Sequence, residues 1–163
     1  MTTTVLMEVS ALEAAHLTDL VAQFVELLAD ALDGGDDPAV ERLVPDGYRG
    51  DPEAAAEFRR LTQDDLLDRR RDDAATVLTT LQRDGVVLRP ADLDRAEAES
   101  SLEIELDAGA LSAWLRTLTA IRLVMATRLG ITADDDEDDD DPRFGVYNWL
   151  GFRLEGLLRA IED

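Results

Sequence analysis

The side chains able to do chemistry in this sequence are 37 carboxylates, 16 basic residues that are all arginine, and a single histidine, His16. There is no cysteine, and this excludes disulfides, thiolate metal ligands and thiol redox switching. With no lysine there is no Schiff base and no P-loop ammonium. A nucleophile activated by imidazole would have to sit at His16, which falls in the first turns of a predicted helix and reads as a partly exposed structural residue. Carboxylate pairs serve general acid–base catalysis, but among so many acids close pairs arise by chance and carry no weight. The expectation is a protein that is not an enzyme and that needs no metal and no cofactor.

Charge sets the next bound. The formal net charge is −21, and taking away the eight acids of the run Asp134–Asp141 still leaves −13. A surface this acidic repels the phosphate backbone, so no direct contact with nucleic acid is expected. The run lacks the glycine and alternating ligands of a calcium loop and predicts a solvated, mobile segment over 133–142. Arg69-Arg70-Arg71 is the one basic cluster, and Asp64, Asp65, Asp68, Asp72 and Asp73 stand around it at spacings that predict i,i+4 ion pairs on a helix.

Two sets of residues stand out from this background. Arg122 lies among Leu118, Met125 and Ala126, where a half-buried guanidinium calls for a carboxylate, and Glu57 beside Phe58 and Arg59 is the candidate. A pocket between helices would draw on the same polar group: Glu57, Arg59, Arg122 and Tyr48. The second set is on the last predicted helix, where Gly145, Trp149, Phe152 and Gly156 form a face nearly opposite the apolar stripe. Small residues around two large aromatics suit close approach by a partner, or by a second copy in a homodimer.

The elements that position these residues are mostly helical. Val5 to Val9 and the strictly alternating Leu102 to Leu106 predict two short strands. After the first, Ser10 and Glu13 have the capping-box spacing, and Leu17, Val21, Phe24 and Leu28 make one buried stripe that ends at Gly34-Gly35. Asp37-Pro38 opens a short helix through about Val44, and Asp51-Pro52 opens another that either breaks near Thr62 or runs on toward Gly85. Residues 86–100 show no period and read as a loose connector. Asp107 caps the most apolar helix, Ala108 to Leu129, which Gly130 ends, and a last helix runs from about Phe144 to Ile161. At an offset of 97, Ser10 matches Asp107, Leu17 matches Trp114 and Val21 matches Leu118, so strand, cap and helix occur twice. Two lone strands must satisfy their backbone groups, and pairing with each other does so. The predicted fold is mainly α: a compact single domain over 1–163, a bundle of about five or six helices with a small two-stranded β ribbon. The start, Met-Thr-Thr-Thr-Val-Leu-Met-Glu, has no basic region and no long apolar run, so the expectation is a cytoplasmic protein with no membrane span.

One ordered set of motifs carries a resemblance. Asp37-Pro38-Ala39, Arg42-Leu43, Pro45, Tyr48, Glu57-Phe58-Arg59 and Leu61-Thr62 form one run. Trp114-Leu115, Leu118, Ile121-Arg122-Leu123 and Arg128-Leu129-Gly130 form a second, and Tyr147, Trp149-Leu150-Gly151 and Leu157-Leu158 close the chain. The whole resembles an actinobacterial family of unknown function often encoded beside the ClpS protease adaptor, some members of which are described as oxidative-stress transcriptional regulators. The resemblance implies a non-enzymatic regulator acting by protein–protein binding, on a sigma factor or RNA polymerase. The alternative is a small-ligand-binding protein or an uncharacterised enzyme with a pocket between helices. Two departures limit what carries over. The cysteine pair proposed for redox sensing has no counterpart here, and the family's usual Asn-Asp is Thr119-Ala120.

Overall fold

A computed structural model describes residues 4–33, 37–43, 52–130 and 144–162. Tyr48 and the Asp134–Asp141 run lie outside them, as do the side chains of Phe58, Arg59 and Leu61. Strands β1 (Val5–Ser10) and β2 (Ser101–Leu106) pair antiparallel, with Met7 opposite Ile104 and Val9 opposite Leu102. Alternation decides which face is buried. Val5, Met7, Val9, Ile104 and Leu106 point into the core, while Leu6, Glu8, Glu103 and Glu105 point outward.

Each strand feeds a helix of the same length, α1 (Ala11–Leu32) after β1 and α5 (Ala108–Leu129) after β2. The caps are equivalent: Ser10 Oγ accepts the amide N–H of Glu13 at 3.1 Å, and Asp107 Oδ1 accepts that of Ala110 at 2.8 Å. Gly130 ends α5 at φ +72°, a left-handed conformation that a Cβ would strain. The matched positions Leu17 and Trp114, and Val21 and Leu118, are all buried, so the offset noted in the sequence corresponds to two strand–helix units sharing one core.

Between the units lies α3 (Pro52–Leu81), unbroken at Thr62 and about 45 Å long at ~1.5 Å per residue. It packs against both α1 and α5, with Leu67, Ala74, Val77 and Leu81 buried. The Trp114 indole N–H donates to Thr80 Oγ1 at 2.8 Å, fastening α5 to the end of α3. Helix α2 is short, Pro38–Glu41, rather than reaching Val44. Gly85 does not cap α3: it sits with Asp84 at positive φ in a tight turn closed by Arg83 and Val86, four residues beyond the helix end. The stretch read as a loose connector contains a 3-10 turn at Pro90–Asp92 and α4 (Arg95–Glu99). Asp94 and Glu97 form a complete capping box there, and the backbone N–H bonds hold the Asp94 carboxyl below the usual carboxylate range. The last helix, α6 (Gly145–Glu162), lays Tyr147, Leu150 and Leu157 on α5. The fold is therefore a mainly α bundle of six helices among the described residues with a two-stranded ribbon. No described helix is long and apolar enough to cross a membrane.

Candidate functional site

The features that could do work converge on α6 and on the side of α1 that faces it. α6 buries Tyr147, Leu150 and Leu157, but Leu158 and Ile161, which fall on the same stripe by helical spacing, are exposed, as is the opposite face. Gly145 and Gly156 are exposed, and Phe152 is 65% exposed with the Arg153 guanidinium beside its ring. Trp149 is not part of this open surface. It turns to the flank of α6, half-buried against the core, and its indole N–H donates to Glu13 Oε1 at 2.7 Å. The Glu13 carboxylate also takes a two-pronged ion pair from Arg153, whose side chain is 21% exposed against 17% for Glu13. Of the four residues expected on one face, the structure keeps Gly145, Phe152 and Gly156 together in the open and sets Trp149 into a clasp with α1.

That clasp changes the reading of Glu13. Its spacing from Ser10 predicts a capping box, and the Ser10 half forms, but the Glu13 carboxylate is engaged by α6. Nothing in the local spacing signals this, because Trp149 and Arg153 lie 136 and 140 residues away.

Arg122 is half-buried, as its apolar neighbours predict, but Glu57 is not its partner. Glu57 is exposed on α3, and no Arg122–Glu57 ion pair forms among the described residues. Arg122 Nε instead donates to the Tyr147 carbonyl at 3.1 Å, and its guanidinium stacks on the Tyr147 ring 3.9 Å from the centroid. Gly151 makes room for it, since a Cβ there would lie 2.7 Å from Arg122 Nη2. Arg122 thus serves the α5–α6 contact. A pocket built from Glu57, Arg59, Arg122 and Tyr48 is not assembled by what is described, with Tyr48 and the Arg59 side chain outside the described residues.

The arginine run also differs from expectation. Asp73 pairs across to Arg116 of α5, with both oxygens engaged at 2.8 and 3.0 Å, and this raises the Arg116 pKa further. No i,i+4 pair forms between Arg69-Arg70-Arg71 and the neighbouring aspartates among the described residues. Arg69, Arg70 and Arg116 border an open cleft of about 830 Å³ between α3 and α5 over Leu66 and Leu115, but Arg116 is already neutralised by Asp73.

Two further clefts lie along α1. One, of about 590 Å³, is lined by Leu12, His16, Asp19, Val146 and Trp149, and the other, of about 310 Å³, by Phe24, Leu27, Ile121 and Met125. His16 is exposed on its rim. Among the described residues no three His, Asp or Glu side chains gather where they could hold a metal ion.

Fold and surface together define a helical bundle with apolar surface on its last helix and grooves along its first. The family described as Domain of unknown function (DUF2017) matches residues 2–161, and the chain belongs to that family. No curated protein and no solved structure matches it.

Proposed function

We propose that this protein is a non-enzymatic regulator that works by binding another protein. The observation that carries the reading is where apolar surface is left uncovered. Large apolar side chains are exposed at eight described positions, and Val146, Phe152, Leu158 and Ile161 put four of them on the 18 residues of α6. At helical spacing the four are spread around α6 rather than gathered on one face, so Phe152, the aromatic among them, is the one read as an interface anchor. Phe152 between the exposed Gly145 and Gly156 is the anchor, and Trp149 borders the surface from the groove side.

The resemblance to the family encoded beside the ClpS adaptor supports an actinobacterial, cytoplasmic regulator with the transcription machinery, a sigma factor or RNA polymerase, as target. The acidic surface fits a role at basic patches of that machinery rather than on DNA itself. Absence of cysteine means that any stress response runs through binding and not through a thiol switch. The test is recovery of a partner from native lysate by wild type and by Phe152→Ser, which alters an exposed side chain and leaves the core intact.

A further inference from the structure

The two clefts along α1 are one groove. Leu20 and Gln23 line both, so the depressions meet at the middle of the helix. α1 forms one wall throughout. The other wall is Val146 and Trp149 of α6 at one end, then Ile121, Val124 and Met125 of α5. From Leu12 to Asp30 the groove follows about 27 Å of α1 at ~1.5 Å per residue, the length of five helical turns. Its floor is apolar, with Phe24, Ile121 and Val124 at the bottom and Leu20, Leu27 and Met125 half-covered above them. Its rim is acidic: Asp19, Glu26 and Asp30 are exposed along α1. The one arginine of the lining, Arg128, donates to Asp37 at 2.8 Å and so brings little free positive charge.

We propose that this groove docks an amphipathic helix of a basic partner protein. The proposal rests on the protein-binding reading above and adds a second surface, distinct from the exposed Phe152, and the partner's chemistry. A helix laid in the groove presents apolar residues at i, i+3/i+4 and i+7 to Leu20, Phe24 and Met125. Lysines and arginines on its flank then meet Asp19, Glu26 and Asp30. The acidic rim argues against a membrane as occupant, because anionic headgroups would be repelled, and the open, elongated shape suits a helix better than a small ligand, which a pocket encloses. Glu13 holds the α6 end of the wall in place through Trp149 and Arg153, so the groove is preformed there rather than made on binding.

The experiment uses the full chain and a defined probe, an 18-residue leucine/lysine peptide that forms an amphipathic helix, with a scrambled peptide of equal composition. Calorimetric titration should show the helical probe binding wild type at least about tenfold more tightly than the scramble. Asp19→Lys with Glu26→Lys should weaken it about tenfold, whereas Glu103→Lys with Glu105→Lys, the same charge change on the outer face of the ribbon, should alter it by less than about twofold. Equal binding of helix and scramble, or equal loss in the two double variants, would reduce the effect to bulk charge and overturn the proposal. A cellular partner recovered equally by wild type and by the Asp19→Lys, Glu26→Lys variant would sink the groove while leaving the protein-binding reading in place. Absence of any specific partner for wild type would sink that reading instead.

Discussion

Glu13, in the first turn of α1, accepts the indole N–H of Trp149 in α6 at 2.7 Å across 136 residues of chain, and the same carboxylate is forked by Arg153. α6 otherwise rests on α5, so this half-buried clasp is what fixes its flank relative to α1. A charge-assisted bond shielded from water contributes more than an exposed ion pair. Glu13→Ala should therefore lower stability by about 2 kcal/mol in urea denaturation. Glu13→Ala and Arg153→Ala together should show a coupling of about 1 kcal/mol in a double-mutant cycle. Strict additivity would mean that the Glu13–Arg153 pair contributes nothing to the fold.

The two glycines inside α6 should respond in opposite ways to alanine. Gly156→Ala meets no atom within 4 Å and should gain about 0.5–1 kcal/mol from helix propensity. Gly151→Ala places its Cβ against the guanidinium that stacks on Tyr147, and the displacement should cancel that gain. In an Arg122→Ala background the Gly151→Ala gain should reappear. Thermal unfolding of the set checks this, and equal gains at both glycines would contradict the packing described.

Thr117 is 1% exposed on the buried side of α5, and its hydroxyl makes no hydrogen bond among the described residues. A buried hydroxyl without a partner costs about 1–3 kcal/mol, so Thr117→Val, which keeps the shape, should raise stability by about 1 kcal/mol. A loss of that size in chemical denaturation would mean that the hydroxyl has a partner in solution.

Asp37 caps α2, accepts the amide N–H of Ala39 at 2.9 Å and binds Arg128. These bonds, the backbone one first, hold its carboxyl below the ordinary aspartate value. Its stabilisation is therefore complete above the unfolded pKa near ~3.9 and is lost as pH falls through the lower folded value. Asp37→Ala should cost about 1 kcal/mol at neutral pH, and the gap from wild type should close only below about pH 4. A gap that persisted unchanged at pH 2 would point to packing instead.

Much of this fold was legible because its signals are local. The alternation of Leu102–Leu106, the caps at Ser10 and Asp107 and the stop at Gly130 each act within a few residues, and the elements formed where those signals lie. The Asp94–Glu97 capping box was equally local but was hidden by the absence of any apolar period in the five-residue helix that it starts. Partners across the chain were not legible. Arg122 reads as half-buried from its neighbours and is so, yet the partners described for it are the carbonyl and ring of Tyr147 and not Glu57, and a backbone acceptor leaves no trace in composition. Phe152 was readable as an outward aromatic from helical spacing alone. The turning of Trp149 into a groove depends on α1, which no spacing on α6 encodes.

The central claim, that the α6 surface binds a protein, is tested most directly by quantitative capture from native lysate with wild type, Phe152→Ser and Val87→Ser. Val87 is also exposed but lies in the segment after α3 and not on α6, so its variant controls for a general loss of apolar surface. The prediction is a transcription component recovered equally by wild type and Val87→Ser and reduced about tenfold by Phe152→Ser. The same proteins recovered in equal amounts by all three, or nothing specific recovered by any, would contradict the claim.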